Sequence, residues 1–123
     1  MKIVIYHNPR CSKSRETLQL LQEQGIEPEV VEYLKDPPNK GQLKQILKML
    51  GLEPRELMRQ KEPEYEALGL DDPALSREQL VEAMVAHPQL IERPIVVSGH
   101  CAVIGRPPQR VLEIIQKKED QQE

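Results

Sequence analysis

The chain has 123 residues, 38% of them hydrophobic and 30% charged, which suits one soluble domain able to bury a single core. Its formal net charge of −3 and sequence pI near 5.7 give no global reason to expect binding to nucleic acid or a membrane surface. Recognition of an anion would therefore have to come from arginines gathered locally.

Lys2 is followed by only a short apolar run before His7, too short for a signal-peptide core or a membrane span, so a cytoplasmic protein is expected. That run, Ile3-Val4-Ile5-Tyr6, reads as a first strand. It breaks at Asn8-Pro9 and resumes as a helix over about residues 12–24, with Gly25 suited to ending it in a left-handed conformation. Cys11 thus falls at or just before a helix N-terminus. Free backbone N–H groups and the positive end of the helix dipole favour an anion there, and Arg10, Lys13 and Arg15 add cationic side chains nearby. Both effects favour thiolate over thiol, so Cys11 reads as a nucleophile rather than an inert buried cysteine.

After Glu27-Pro28, residues 29–34 are β-branched and short and predict a second strand, parallel to the first through a right-handed βαβ connection. Lys35-Asp36-Pro37-Pro38 stops it. Asn39 can cap a helix with Leu43, Ile46, Leu47 and Leu50 at helical spacing and Gly51 at its end. Pro54 opens a shorter helix through Arg55, Leu57, Met58 and Arg59, Tyr65 to Leu68 suggest another turn or two, and Ser76-Arg77-Glu78-Gln79 has the form of a capping box before Leu80, Ala83 and Met84. His87-Pro88 ends that helix. Residues 39–87 therefore read as a helical insertion whose apolar stripes are buried faces.

Strands return with Ile95-Val96-Val97 and Cys101-Ala102-Val103-Ile104, an antiparallel hairpin turning at Ser98-Gly99-His100. Pro107-Pro108 suit the first turn of a last helix with Val111, Leu112, Ile114 and Ile115 buried, and the polar tail from Lys117 is expected to fray. This order is that of an α/β thioredoxin-like (glutaredoxin-like) fold: a mixed four-stranded sheet built from residues 1–35 and 93–118, a helical insertion at 39–87, and a frayed tail at 119–123, all in one domain. In such folds a cis proline stands before the hairpin, which predicts a cis Arg93-Pro94 bond.

The residues also carry a family resemblance. Tyr6-His7-Asn8-Pro9-Arg10-Cys11-Ser12-Lys13-Ser14-Arg15, Glu56-Leu57-Met58-Arg59, Tyr65-Glu66-Ala67-Leu68-Gly69-Leu70, Glu92-Arg93-Pro94-Ile95-Val96-Val97 and Gly105-Arg106-Pro107 together resemble the glutaredoxin-coupled arsenate reductases, over about residues 3–116. The resemblance implies Cys11 as the nucleophile, Arg59, Arg93 and Arg106 around the oxyanion, and support of the thiolate by His7, Ser14 and Arg15. Independently of it, a small multiply charged anion needs charge-assisted donors converging from several directions, which arginines on separate segments can supply. The resemblance further implies arsenate as substrate, glutathione as co-substrate, glutaredoxin as partner, and no bound cofactor or metal. Ser14 stands where a thioredoxin-type protein carries its resolving cysteine, in keeping with a dependence on an outside thiol.

Several readings stay open at this stage. His7 either serves the thiol, directly or by holding Ser14, or merely finishes a strand; no further ligands at metal spacing accompany it and Cys11. Cys101 is either a small buried hydrophobe or an oxidation partner of Cys11. His87 and His100 read as loop residues. The phosphatase-type loop used by another class of arsenate reductase would need an arginine where Thr17 stands, which excludes that class. Alternative functions are a thiol oxidoreductase of the same fold acting on another oxyanion or a glutathionylated substrate, and a binding protein like the Spx-type regulators that contact RNA polymerase.

Overall fold

Alternation along the first strand sets the frame: in β1 (Ile3–His7) Ile3, Ile5 and His7 are buried while Val4 and Tyr6 are not. In the computed structural model, which describes residues 2–115, the chain divides into two compact units. One combines Met1–Tyr33 with Arg93–Glu123; the other is Leu34–Glu92.

The first unit holds a four-stranded mixed sheet in the order β2-β1-β3-β4. β2 (Glu29–Glu32) pairs parallel with β1, as expected for a strand returning after α1 (Ser12–Glu23). β3 (Ile95–Ser98) lies antiparallel to β1, with Ile5 opposite Val96, and β4 (Cys101–Ile104) antiparallel to β3. Ser98 faces Cys101 across a two-residue Gly99-His100 turn, and Gly99 at φ 63 supplies the positive φ that a type II′ hairpin needs first. Ile3, Ile5, Leu21, Val96, Val103, Val111, Ile114 and Ile115 form the core. Burial of each such aliphatic side chain stabilises the fold by roughly 1.5–3 kcal/mol.

β2 is shorter than its sequence suggests, ending at Glu32 where residues 29–34 were expected. It is an edge strand whose Val30 is 44% exposed and Val31 half-buried at the sheet margin, and the chain turns at Tyr33, which is buried instead. Pro108–Arg110 form a 3-10 turn that runs into helix at residues 111–115; the expectations for the rest of that helix and the tail lie outside the described residues. Arg93-Pro94 is cis as expected, and Arg106-Pro107 is cis as well.

The second unit is helical. α2 (Lys40–Leu50) opens with Asn39 accepting from the Gln42 N–H at 2.8 Å while Gln42 accepts from the Asn39 N–H at 2.9 Å, a full capping box, and closes on Gly51 at φ 69. α3 (Pro54–Leu57) and α4 (Pro63–Ala67) each start on proline; α3 ends at Leu57, short of the Arg59 expected, because Met58 turns extended and bridges to Ile91. α5 (Arg77–Ala86) has the Ser76–Gln79 capping box anticipated from sequence. Leu43, Leu47, Leu57, Met84 and Leu90 are among its fully buried side chains. Arg55 stitches α3 to α4 and the chain that follows it, donating to the Tyr65 hydroxyl at 2.7 Å, to the Leu70 carbonyl and to the Asp72 carbonyl at 3.0 Å.

Candidate active site

α1 begins immediately after the sheet-to-helix turn, with Cys11 as its N-cap at φ −94, ψ 123. The turn is closed by the Asn8 side chain and backbone: Asn8 Oδ1 accepts from the Arg10 N–H at 3.0 Å, and the Asn8 carbonyl accepts from the Cys11 N–H at 3.0 Å. Cys11 has no oxygen with which to cap the helix, and no regular cap hydrogen bond forms. Its sulfur instead occupies the place of the capping atom, where the unpaired N–H groups of the first turn favour negative charge.

Burial of that sulfur pushes its pKa up. The Ser14 backbone N–H, a hydrogen bond and the charge of Arg93, and the charge of Arg106 act the other way and prevail, so the thiol lies below its ordinary range. Arg106 Nη2 is 3.5 Å from Cys11 Sγ, and Arg106 Nε donates to the Arg93 carbonyl at 2.7 Å. Residues from the two ends of the β3–β4 hairpin thereby meet at the start of α1. The neighbours in sequence do less: Lys13 pairs with Glu16 at 3.6 Å, Arg10 is exposed, and Arg15 turns back to donate to the Pro9 carbonyl at 3.0 Å. The cations that favour the thiolate thus come from about ninety residues away, and Arg15 braces the turn.

Behind the sulfur lies a buried polar relay. Ser14 is fully buried; its Oγ accepts from the Asn8 N–H at 3.0 Å and sits 2.6 Å from His7 Nδ1. Burial lowers the His7 pKa, with Glu32 opposing and Arg15 assisting. A neutral imidazole can accept a hydrogen bond from the Ser14 hydroxyl at Nδ1, which leaves the Ser14 oxygen free to accept from the backbone. His7 therefore touches Ser14, and the first helical turn is anchored to the end of β1 through that serine.

Thr17 and Gly105 complete the surroundings; nothing in the sequence places either beside Cys11, although Gly105 belongs to the Gly105-Arg106-Pro107 motif. Thr17 is fully buried, donating to the Lys13 carbonyl at 2.8 Å and lying 3.4 Å from the Gly105 carbonyl oxygen. The available hint is the weak apolar stripe of α1, whose buried positions Ser14, Thr17 and Leu21 start polar and end apolar.

Arg59 belongs to the second unit. Its Nε pairs with Glu62 at 3.1 Å, its Nη1 with Glu92 at 2.7 Å, and its N–H donates to the Leu90 carbonyl at 2.7 Å. These contacts fix its position after α3, where Met58 bridges to Ile91. Cys101, on β4, is partly buried and packs against the core of the first unit. Among the described residues no cluster of three or more His, Cys, Asp or Glu could hold a metal ion, and no helix is long and apolar enough to cross a membrane.

Comparison with known proteins places this geometry in a family. The sequence profile of the ArsC family matches residues 6–114. The chain is 59% identical over 115 residues to the Escherichia coli K12 protein called uncharacterized protein YfgD, covering 93% of this chain and 97% of that one. It is 49% identical to the arsenate reductase of Haemophilus influenzae, over 94% of this chain and all of the other. The solved structure of an arsenate reductase from Vibrio cholerae superposes with a TM-score of 0.90 at 56% identity, covering 93% of this chain and 98% of that one.

Proposed function

The chain belongs to the ArsC family, and on that premise we propose that it reduces arsenate to arsenite, with Cys11 as nucleophile and glutathione and glutaredoxin as the source of electrons. The observation that carries this reading is the approach of Arg106 to within 3.5 Å of the Cys11 sulfur, with Arg93 beside it, at a helix N-terminus. A nucleophile and an anion-binding cradle occupy the same place.

The Cys11 thiolate attacks arsenic, a sulfur–arsenic bond forms, and a protonated arsenate oxygen leaves as water. Arg93 and Arg106 hold the remaining oxygens with charge-assisted donors whose positions are set before substrate arrives. The resemblance adds Arg59 to this set. Glutathione then replaces a second oxygen on arsenic, again with loss of water. The glutaredoxin thiolate attacks the glutathione sulfur, forming a glutaredoxin–glutathione disulfide and leaving an electron pair on arsenic, now arsenic(III) on Cys11. Hydrolysis of the sulfur–arsenic bond gives arsenite and restores the thiol. Two outside thiols are oxidised for each arsenate reduced, and His7, Ser14 and Arg15 keep Cys11 at the helix start throughout.

Arsenate supplied with glutathione, glutaredoxin and glutathione reductase is expected to drive NADPH oxidation. Cys11→Ser abolishes it, because a serine hydroxyl is far less acidic than the thiol, whereas Cys101→Ser retains most of it. Equal loss in both variants would rule out the single-cysteine scheme.

A further inference from the structure

We infer that Gly105 is a positioning residue: its missing side chain lets the exit of β4 seat against Thr17 of α1, and that seating carries Arg106 to the Cys11 sulfur. Gly105 is buried and its backbone does not occupy the left-handed region, so conformational freedom does not explain the glycine. Space does. A Cβ there would lie 2.5 Å from Thr17 Oγ1, 3.0 Å from Thr17 Cγ2 and 3.0 Å from Pro94 Cγ.

None of these neighbours gives way easily. Thr17 is β-branched, fully buried in a helix, and its Oγ1 is tied to the Lys13 carbonyl at 2.8 Å, which fixes its rotamer. The Pro94 ring closes the other side, and the Gly105 N–H is already bound to the Pro94 carbonyl at 3.0 Å. A methyl group at position 105 would therefore move the backbone of that position and, with it, the next residue. Arg106 reaches two partners from there, Cys11 Sγ at 3.5 Å and the Arg93 carbonyl at 2.7 Å. A displacement of about 1 Å at position 105 is enough to break both contacts, given how steeply hydrogen bonds weaken with geometry.

This inference deepens the arsenate-reducing reading, but its first test does not depend on that reading. Alkylation of Cys11 by iodoacetamide, followed on the Cys11 peptide by mass spectrometry, reports the thiolate fraction across pH. In Gly105→Ala the midpoint is expected to move to higher pH, and the rate at a pH below the wild-type midpoint to fall roughly threefold or more, because an arginine charge has left the sulfur. Ile115→Val, which removes a methyl from the core of the same unit, lowers stability without moving the midpoint. Thr17→Ala removes the atom at 2.5 Å and one of the two at 3.0 Å, leaving only the Pro94 Cγ contact, which a shift of a few tenths of an ångström relieves, so the double variant Thr17→Ala/Gly105→Ala should bring the midpoint back towards wild type. The double variant also decides the matter if Gly105→Ala alone does not fold. An unchanged midpoint in folded Gly105→Ala, or a double variant that folds with its midpoint still raised, would overturn the inference. Arsenate turnover measured on the same proteins separates the two proposals: a shifted profile in a protein whose wild type does not reduce arsenate upholds the role of Gly105 and removes the proposed function.

Discussion

His7 shows how one residue couples the sheet to the reactive turn. It ends β1 on the buried face, 6% exposed, and its Nδ1 meets the Ser14 hydroxyl at 2.6 Å. Burial holds its pKa below the ordinary value of 6.5. The unfolded chain therefore takes up a proton near pH 6.5 at which the folded chain remains neutral, and protonation favours unfolding. The stability contributed by neutral His7 is complete above that pH and is lost as pH falls through the lowered folded-state value. Urea midpoints measured from about pH 7 downward should fall more steeply in wild type than in His7→Gln, whose amide can accept from Ser14 but does not titrate. Parallel pH profiles for the two proteins would show that His7 is equally solvated in both states.

At the scale of elements, the caps explain what could be read from the sequence and what could not. Asn39, Gly51, Ser76 and Pro54 act through neighbours three or four residues away, so the helices they bound were legible along the chain, whereas the start of α4 at Pro63 lies two residues before the turn expected from Tyr65. The placement of Cys11 before α1 was legible for the same reason. The contacts that set its chemistry could not be read from local spacing: Arg106 is 95 residues from Cys11 and was expected there through the family resemblance, while the approach of Thr17 to Gly105, 88 residues apart, was not expected at all. Sequence neighbours suggested that Arg10, Lys13 and Arg15 would supply the charge, whereas sheet topology delivers Arg93 and Arg106 instead. The overlong reading of β2 has a similar origin, since β-branched residues at a sheet edge look like those inside one. The caps also make a prediction. Asn39→Ala should cost about 1 kcal/mol through loss of the Gln42 pairing. Cys11→Ser replaces a sulfur, which meets the Ser14 N–H without a regular cap hydrogen bond, with a hydroxyl that is strongly preferred at that position, so at acid pH, where the wild-type thiol is neutral, it should be at least as stable as wild type. Chemical denaturation would check both, and a strongly destabilised Cys11→Ser would mean that the sulfur contributes packing a hydroxyl cannot replace.

Across the whole molecule, a formal charge of −3 sets a condition on anion binding. At physiological ionic strength fields are screened beyond about 8 Å, so neither attraction nor repulsion by the distant surface decides affinity. Close, directional donors must do so. If Arg93 and Arg106, together with Arg59 as the family resemblance implies, bind the oxyanion, then arsenate, phosphate or sulfate should slow alkylation of Cys11 by neutral iodoacetamide. Chloride at equal ionic strength should protect less. Each Arg→Ala change removes a charge-assisted contact of about 1.5–3 kcal/mol, so the same protection should need roughly tenfold more anion or greater. Arg→Lys should recover only part of the loss, because an ammonium group cannot present the planar fork that matches two oxygens. Arg93 and Arg106 also lower the pKa of Cys11, so protection must be compared at equal thiolate fraction, with the reagent rate followed across pH for each variant. Under that comparison a true anion ligand raises the concentration needed for protection, while a residue that acts only on the thiol alters the unprotected rate alone. Wild-type protection in all three alanine variants would remove the arginines from the oxyanion site and direct the search for function to protein or peptide thiols.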